Sequence, residues 1–427
     1  MMSEGIKNRS LLERRNNTIG RYSPLFYKEP LHLVSAEGVW LHDADGVTYL
    51  DGYNNVPHVG HCNKAVVEAL TRQAKLLNIN TRYLSEPLID YAEKLLGLFP
   101  EDLSKVFFVN SGSEANELAI RITRYMTGHK GILISDWSYH GNSYSLARMT
   151  TGLKTAEGIG PHVRPIRIPD VTASAISPSL LLEQALDEVD KAILSLKEAG
   201  YGVAMFLFDP LFSTEGLINP PEGYIEGVVQ RVHDAGGLVV ADEVQSGFGR
   251  SGEKLWGFEL YDIKPDLVTM GKPMGNGHPL GGVVTRTDIL DAFASHNDYF
   301  NTFAGNPVSA AVGLAVLNEM ERMSLKENAA DLAQIIMPRL QEMVQKFDFC
   351  RFARGRGLFF GLEILSDDGK PDSAKTKALV ELMKTKKVVI SKIGRFDNVL
   401  KIRPPMVFNQ DNAEFLLDTL EDALAEV

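Results

Sequence analysis

Short apolar runs alternate along most of this chain with longer stretches in which apolar residues recur every three or four positions. The runs KVFFVN, GILIS, VAMFLFD, GLVVAD, DLVTM and GGVVT predict strands. KAVVEALTRQAKLL, SEANELAIRITRYM and GYIEGVVQRVHDAG have the spacing of amphipathic helices. Such alternation predicts a largely parallel sheet with helices on both faces. Nearer the N-terminus, GVWLHDADGVTYLD places apolar runs on either side of Asp43–Gly46, which reads as a β-hairpin turning at Asp45-Gly46. From about Asn306, helical spacing dominates in PVSAAVGLAVLNEMERM and AADLAQIIMPRLQEMVQKF. GLFFGLEIL, KVVIS and VLKIRPP then add strands, and AEFLLDTLEDALAEV closes the pattern. The expected organisation is an N-terminal segment of a small domain over 1–50, a large α/β domain over 51–306, and the remainder of a small α+β domain over 307–427.

Composition narrows the field. Of 427 residues, 44% are hydrophobic, enough for a substantial core, and the net charge of -11 argues against a general nucleic-acid binder. No apolar run reaches the roughly 18–20 residues of a membrane helix. The opening MMSEGIKNRSLLERRNN lacks the apolar segment of a secretory signal. Two cysteines, Cys62 and Cys350, make neither a disulfide framework nor a zinc spacing, which fits a reducing, cytoplasmic setting. His58 and His61 lack a third ligand, so no metal site is expected.

Three stretches carry candidate chemistry. In FFVNSGSEANELAIR a strand runs into a helix through Ser111, Gly112 and Ser113. Backbone N–H groups and hydroxyls at a helix start can hold a phosphate, although Ser111 or Ser113 could equally be an ordinary cap. In GGLVVADEVQSGFGRSG, Asp242 and Glu243 end an apolar strand, where a carboxylate is costly unless something cationic meets it. No Gly-x4-Gly-Lys-Ser/Thr accompanies them, so a P-loop is excluded. In DLVTMGKPMGNGHPLGG, Lys272 also ends a strand. If both strands share one parallel sheet, Asp242 and Lys272 open onto the same crevice. A phosphate site, a carboxylate for a ring nitrogen and an amine for an aldehyde together fit pyridoxal 5′-phosphate (PLP).

The ordered set NSGSEANE, YHG, DEVQSGFGRSG, MGKPMGNGHPLGG, YFNTFAGNPVSAAVGLAVL, RGRGLFFGLEI and LKIRPP resembles the class III, or ω-, aminotransferases of PLP fold-type I, from about residue 30 to the end. The resemblance implies an α/β fold, a large mostly parallel sheet flanked by helices, and a smaller α+β domain from the two chain ends. Lys272 would carry PLP as a Schiff base and shuttle a proton. Asp242 would pair with the ring nitrogen, Tyr139 and Val244 would pack on its two faces, and Gln245 would bond the ring hydroxyl. Gly112, Ser113 and Ser111 would hold the phosphate, with His140 beside Tyr139 either part of this site or a structural turn residue. Thr302 would complete the phosphate site of a partner subunit. A homodimer with shared active sites follows, or a tetramer built from it. Arg403 would bind a substrate carboxylate.

TMGKPMGNGHP, NNVPHVGHC and LNINTRYL are similar to the branch that includes ethanolamine-phosphate phospho-lyases. The resemblance favours a transaminase moving an amino group from an ω-amino acid or amine to a keto acid such as pyruvate. The alternative is a phospho-lyase releasing phosphate and ammonia, for which Arg82, Lys401, Arg403 and Arg21 would form a cationic cup. Asp209 stands where many family members carry a glutamate that masks the substrate arginine, which weakens the case for that switch.

Overall fold

The computed structural model describes residues 10–427. Part of the stretch read as lacking a secretory signal, residues 1–9, lies outside the described residues. The strands in chain order are β1 (Leu33–Glu37), β2 (Trp40–Asp43), β3 (Thr48–Asp51), β4 (Lys105–Val109), β5 (Ile132–Ser135), β6 (Val163–Ile166), β7 (Met205–Phe208), β8 (Leu238–Asp242), β9 (Leu267–Met270) and β10 (Gly281–Thr285). They continue with β11 (Cys350–Arg356), β12 (Phe359–Ile364), β13 (Val388–Val389), β14 (Ser391–Ile393) and β15 (Val399–Ile402).

A seven-stranded sheet, ordered β4-β10-β9-β8-β7-β5-β6, forms the centre. The run β6-β5-β7-β8-β9 is parallel, and β10 alone runs against both of its neighbours. Side chains alternate across a strand, so a strand covered on both faces is apolar throughout. Ile132, Ile134, Met205, Leu207, Val240 and Leu267 face one cluster, which contains the helix Gly112–Thr127. Leu133, Phe206, Phe208, Val239, Ala241 and Val268 face the other, with the helices Pro178–Glu198 and Tyr224–Asp234.

The expected hairpin is β2–β3. Asp43 organises its turn, its Oδ1 accepting from Asp45 and Val47 N–H, while Gly46 takes a φ of +80° that favours glycine. KVVIS, read as one strand, is two. Val388–Val389 joins β3 in parallel, whereas Ser391–Ile393 joins β15. A five-residue segment thereby bridges the N-terminal sheet and the sheet β11-β12-β15-β14. The helix Pro307–Arg322 packs on Lys64–Ala74, Glu86–Leu96 and the turn holding Lys272. No helix among the described residues is long and apolar enough to cross a membrane.

Candidate active site

The parallel strands end together, and open α/β sheets bind ligands at that edge. A cleft of about 290 Å³ lies there, lined by Ser111, Gly112, Ser113, Tyr139, His140, Asp209, Asp242, Val244, Gln245 and Lys272, among others. Its first wall is the start of the helix Gly112–Thr127. Ser111 is the N-cap and accepts from Glu114 N–H, so its hydroxyl serves the helix. The N–H groups of Gly112 and Ser113, ahead of Glu114 in that turn, have no partner within the helix and remain for an anion. Ser113 Oγ accepts from Asn142 N–H. A Cβ on Gly112 would lie 2.7 Å from Val244 Cγ2, and one on Gly271 would lie 2.9 Å from Gly112 N. Side chains at either glycine would fill this cradle.

Asp242 shares a strand face with Val240, towards that same helix. Asn116, one turn into the helix, donates to Asp242 Oδ2 at 2.8 Å, and His140 Nδ1 lies 2.7 Å from the same oxygen. Among the described residues, Oδ1 accepts only the N–H of Val244, at 3.1 Å. One carboxylate oxygen is thus saturated, and the other keeps acceptor capacity for a cationic ring nitrogen. Asn116 also donates to His140 O and accepts from Thr269 Oγ1. This residue escaped the sequence reading. Its signal was its place one turn beyond Gly112, on the cradle-facing side of the helix. His140 acts here by holding Asp242. Glu243, the second acid of the pair, points away and accepts from Ser246 Oγ and the N–H groups of Gly257 and Phe258. Burial pushes its carboxyl up to about 7.

Lys272 follows β9, across from Asp242. Burial, then repulsion from Arg403, lowers its amine to about 8. Tyr139 is half-exposed on the cleft wall, and burial raises its hydroxyl pKa. Gln245 Oε1 accepts from Asn55 Nδ2 at 3.0 Å and from Arg403 Nη1.

Lys401 and Arg403 stand two positions apart at the end of β15, and so on one face. They are 8% and 3% exposed. Both lie over the rings of Tyr53 and Phe359, at 5.3–5.9 Å from the centroids. Neither forms an ion pair among the described residues. Burial and the neighbouring Arg403 and Lys272 press the Lys401 amine well below its ordinary range, and burial lowers Arg403 to about 10. Asp209, the nearby counter-charge, is held by its own loop. It accepts from the N–H groups of Leu211 and Ser213 and from the Ser213 hydroxyl.

Neither Lys401 nor Arg403 lines the cleft itself, although Arg403 bonds its wall residue Gln245, and the remaining expected residues lie off it as well. Arg82 and Arg21 are exposed, and Arg82 stacks on Phe300 with its Cζ 3.9 Å from the ring centroid. Thr302 is exposed on the loop between Asn301, which donates to Glu114, and the helix starting at Pro307. His58 and His61 serve separate partners, Phe248 O and Asp51.

The residues present fit PLP: an anion cradle, a ring-nitrogen acceptor, flanking faces from Tyr139 and Val244, and an amine of lowered pKa. The family model for class III aminotransferases matches residues 26–424. An alanine–glyoxylate aminotransferase 2-like protein of Drosophila melanogaster is 39% identical over 97% of this chain and 87% of its own. Ethanolamine-phosphate phospho-lyase homolog 1 of Caenorhabditis elegans is 33% identical over 97% of this chain and 93% of its own. Among solved structures, a phospholyase from Arthrobacter in complex with phosphoethanolamine is 56% identical, with a TM-score of 0.97 over 98% of this chain and 100% of its own.

Proposed function

The chain belongs to the class III aminotransferase family, whose cofactor is PLP, and within it we propose that this enzyme is a phospho-lyase acting on phosphoethanolamine or a close aminoalkyl phosphate. The observation that carries the reading is the pair Lys401, in β15, and Arg403, just after it, two buried cations without an ion-paired carboxylate among the described residues. Burying such charges uncompensated is costly, and a ligand must offset that cost. A substrate carboxylate would neutralise one of them. A phosphate dianion matches both, and Arg presents a fork suited to its oxygens. The 56% identity to a phospholyase holding phosphoethanolamine supports the same choice.

Bound PLP supplies an electron sink for charge developing at the carbon that bears the amine. Lys272 is the amine that would hold its aldehyde. That amine would also move protons at the substrate carbon, and its pKa of about 8 leaves part of it neutral near neutral pH. Asp242, braced by Asn116 and His140, would hold a proton on the ring nitrogen. Lys401 and Arg403 would bind the phosphate and stabilise it as it leaves. Thr302, exposed and off its own cleft, would serve the cleft of a second copy in a homodimer. The two unpaired cysteines, Cys62 exposed and Cys350 buried, suit a cytoplasmic enzyme.

Transamination is the second reading, favoured by the Drosophila relative and by Arg403, which also suits a carboxylate. One incubation separates them. With phosphoethanolamine and no keto acid, the proposal expects equal release of phosphate and ammonia over many turnovers. Turnover only when pyruvate accompanies an amine donor would assign the enzyme to transamination.

A further inference from the structure

Arg250 lies on the chain that runs on from Asp242. It is 1% exposed and, among the described residues, has no carboxylate at ion-pair distance. Its Nη1 donates to Pro404 O at 2.6 Å and to Leu358 O at 3.1 Å, while Nη2 is buried without a partner. Its own carbonyl accepts from Leu358 N–H, and a Cβ on Gly357 would lie 2.1 Å from that oxygen. The main chain and side chain of Arg250 are therefore both locked to the turn between β11 and β12.

The Pro404 bond has a particular consequence. Pro404 and Pro405 have no N–H, so main-chain donors fix the segment after β15 only at its ends. Arg403 N–H donates to Gly52 O, and Met406 N–H donates to His58 O. Arg250 supplies the bond between them, one residue from Arg403. A neutral amide could donate to a carbonyl without the cost of burying a charge. The charge itself therefore calls for a role. Burial and the nearby Arg403 depress the Arg250 guanidinium to about 9, so it stays cationic at neutral pH.

We propose that Arg250 is a positioning residue for anion binding. It braces Arg403 through the Pro404 carbonyl and adds a third buried cation without an ion-pair partner among the described residues beside Lys401 and Arg403, so that the pocket prefers a dianionic group to a monoanionic one. The inference rests on the reading of Lys401 and Arg403 as the phosphate site. It concerns selectivity, which the lyase assignment leaves open.

The test compares Arg250→Gln, which keeps a donor and loses the charge, with Arg250→Lys, which keeps the charge. The probes are inorganic phosphate and acetate as competitive inhibitors of the PLP-loaded enzyme, with kcat and KM for phosphoethanolamine. Arg250→Gln should weaken phosphate and raise KM by about tenfold or more, the scale of one interaction with a charged group. Acetate inhibition should change much less. Arg250→Lys should recover most of the phosphate affinity. Equal losses for phosphate and acetate would reduce Arg250 to a structural brace and overturn the proposal, as would a Lys variant no better than Gln. Should Arg250→Gln not fold, the wild type and Arg250→Lys decide. Both must then bind phosphate at least about tenfold tighter than acetate, and a smaller preference overturns the proposal. If the wild type releases no phosphate from phosphoethanolamine, the lyase reading fails. The phosphate-to-acetate ratio is then read on its transamination instead, so the two failures are distinguishable.

Discussion

Lys272 is an ammonium that folding makes reluctant to stay charged. Its pKa of about 8 in the folded chain compares with an ordinary 10.5. Between those values the unfolded chain keeps a proton that the folded one has released. The stability of the cofactor-free protein therefore rises with pH across that window. Lys272→Met removes this titration. It should stabilise the cofactor-free protein most below pH 8, and roughly 3 kcal/mol of that advantage should vanish as pH approaches 10.5. Urea melts of the two proteins along the pH series measure it, and a difference that stays constant with pH would refute the assigned shift. Asp242 is the complementary case, a carboxylate with one oxygen saturated and one left available. Asp242→Asn should lower kcat by about a hundredfold or more, because a charged partner is lost in a water-poor site. The protein should still take up PLP through its cradle, and near-normal turnover would remove Asp242 from its role. The placement of both residues at the cleft was legible in the sequence because each is a polar group stranded at the end of an apolar run. Asn116 and Arg250 were not, because a polar residue on a helix or in a glycine-rich turn shows its partners only after folding.

β15 shows what a strand can disclose. Its alternation puts Lys401 and Arg403 on the face opposite Leu400 and Ile402, but the pattern cannot say whether that face meets water or a cleft. The fold decides it, covering both cations with Tyr53 and Phe359. Lys401→Met should therefore raise the KM for phosphoethanolamine by about tenfold or more while leaving PLP content unchanged. It should also stabilise the ligand-free protein, since a buried unpaired cation is replaced by an apolar chain. An unaltered KM would take Lys401 out of the phosphate site. Elsewhere, legibility follows regularity. Six strands of the central sheet read as apolar runs, but the edge strand β6 did not, since VRPI carries Arg164 and Pro165 between its two buried residues. β11, in CRFARGR, did not, since its register slips between Cys350 and Ala353 and its exposed positions carry arginines. KVVIS read as one strand because composition does not record that its two ends pair with different sheets.

Thr302 turns a question of assembly into one of chemistry. It sits on the surface beside Phe303, which is 72% exposed, and the neighbouring Phe300 carries Arg82 on its ring. The segment just before and after Arg82 adds Leu76, Leu77, Tyr83 and Leu84, all exposed. A Cβ on Gly305 would lie 2.8 Å from Thr81 Cγ2, so the two segments adjoin. Large apolar side chains gathered in this way mark an interface more often than a solvated face. If a second copy covers them, Thr302 and Arg82 would come to that copy's cleft, which explains why neither serves its own. Thr302→Ala would then remove one hydrogen bond to the cofactor phosphate, worth roughly 1.5–3 kcal/mol, and weaken PLP retention more than kcat. The sharper experiment mixes two inactive proteins, Lys272→Ala and Thr302→Glu, under conditions of subunit exchange. In a mixed dimer with shared sites, one site carries both lesions and the other carries neither. Activity should reappear, up to about half that of a wild-type dimer per mixed dimer. If each chain built its site alone, every site would keep one lesion and the mixture would stay dead, so exchange shown by mass spectrometry without regained turnover excludes the shared site.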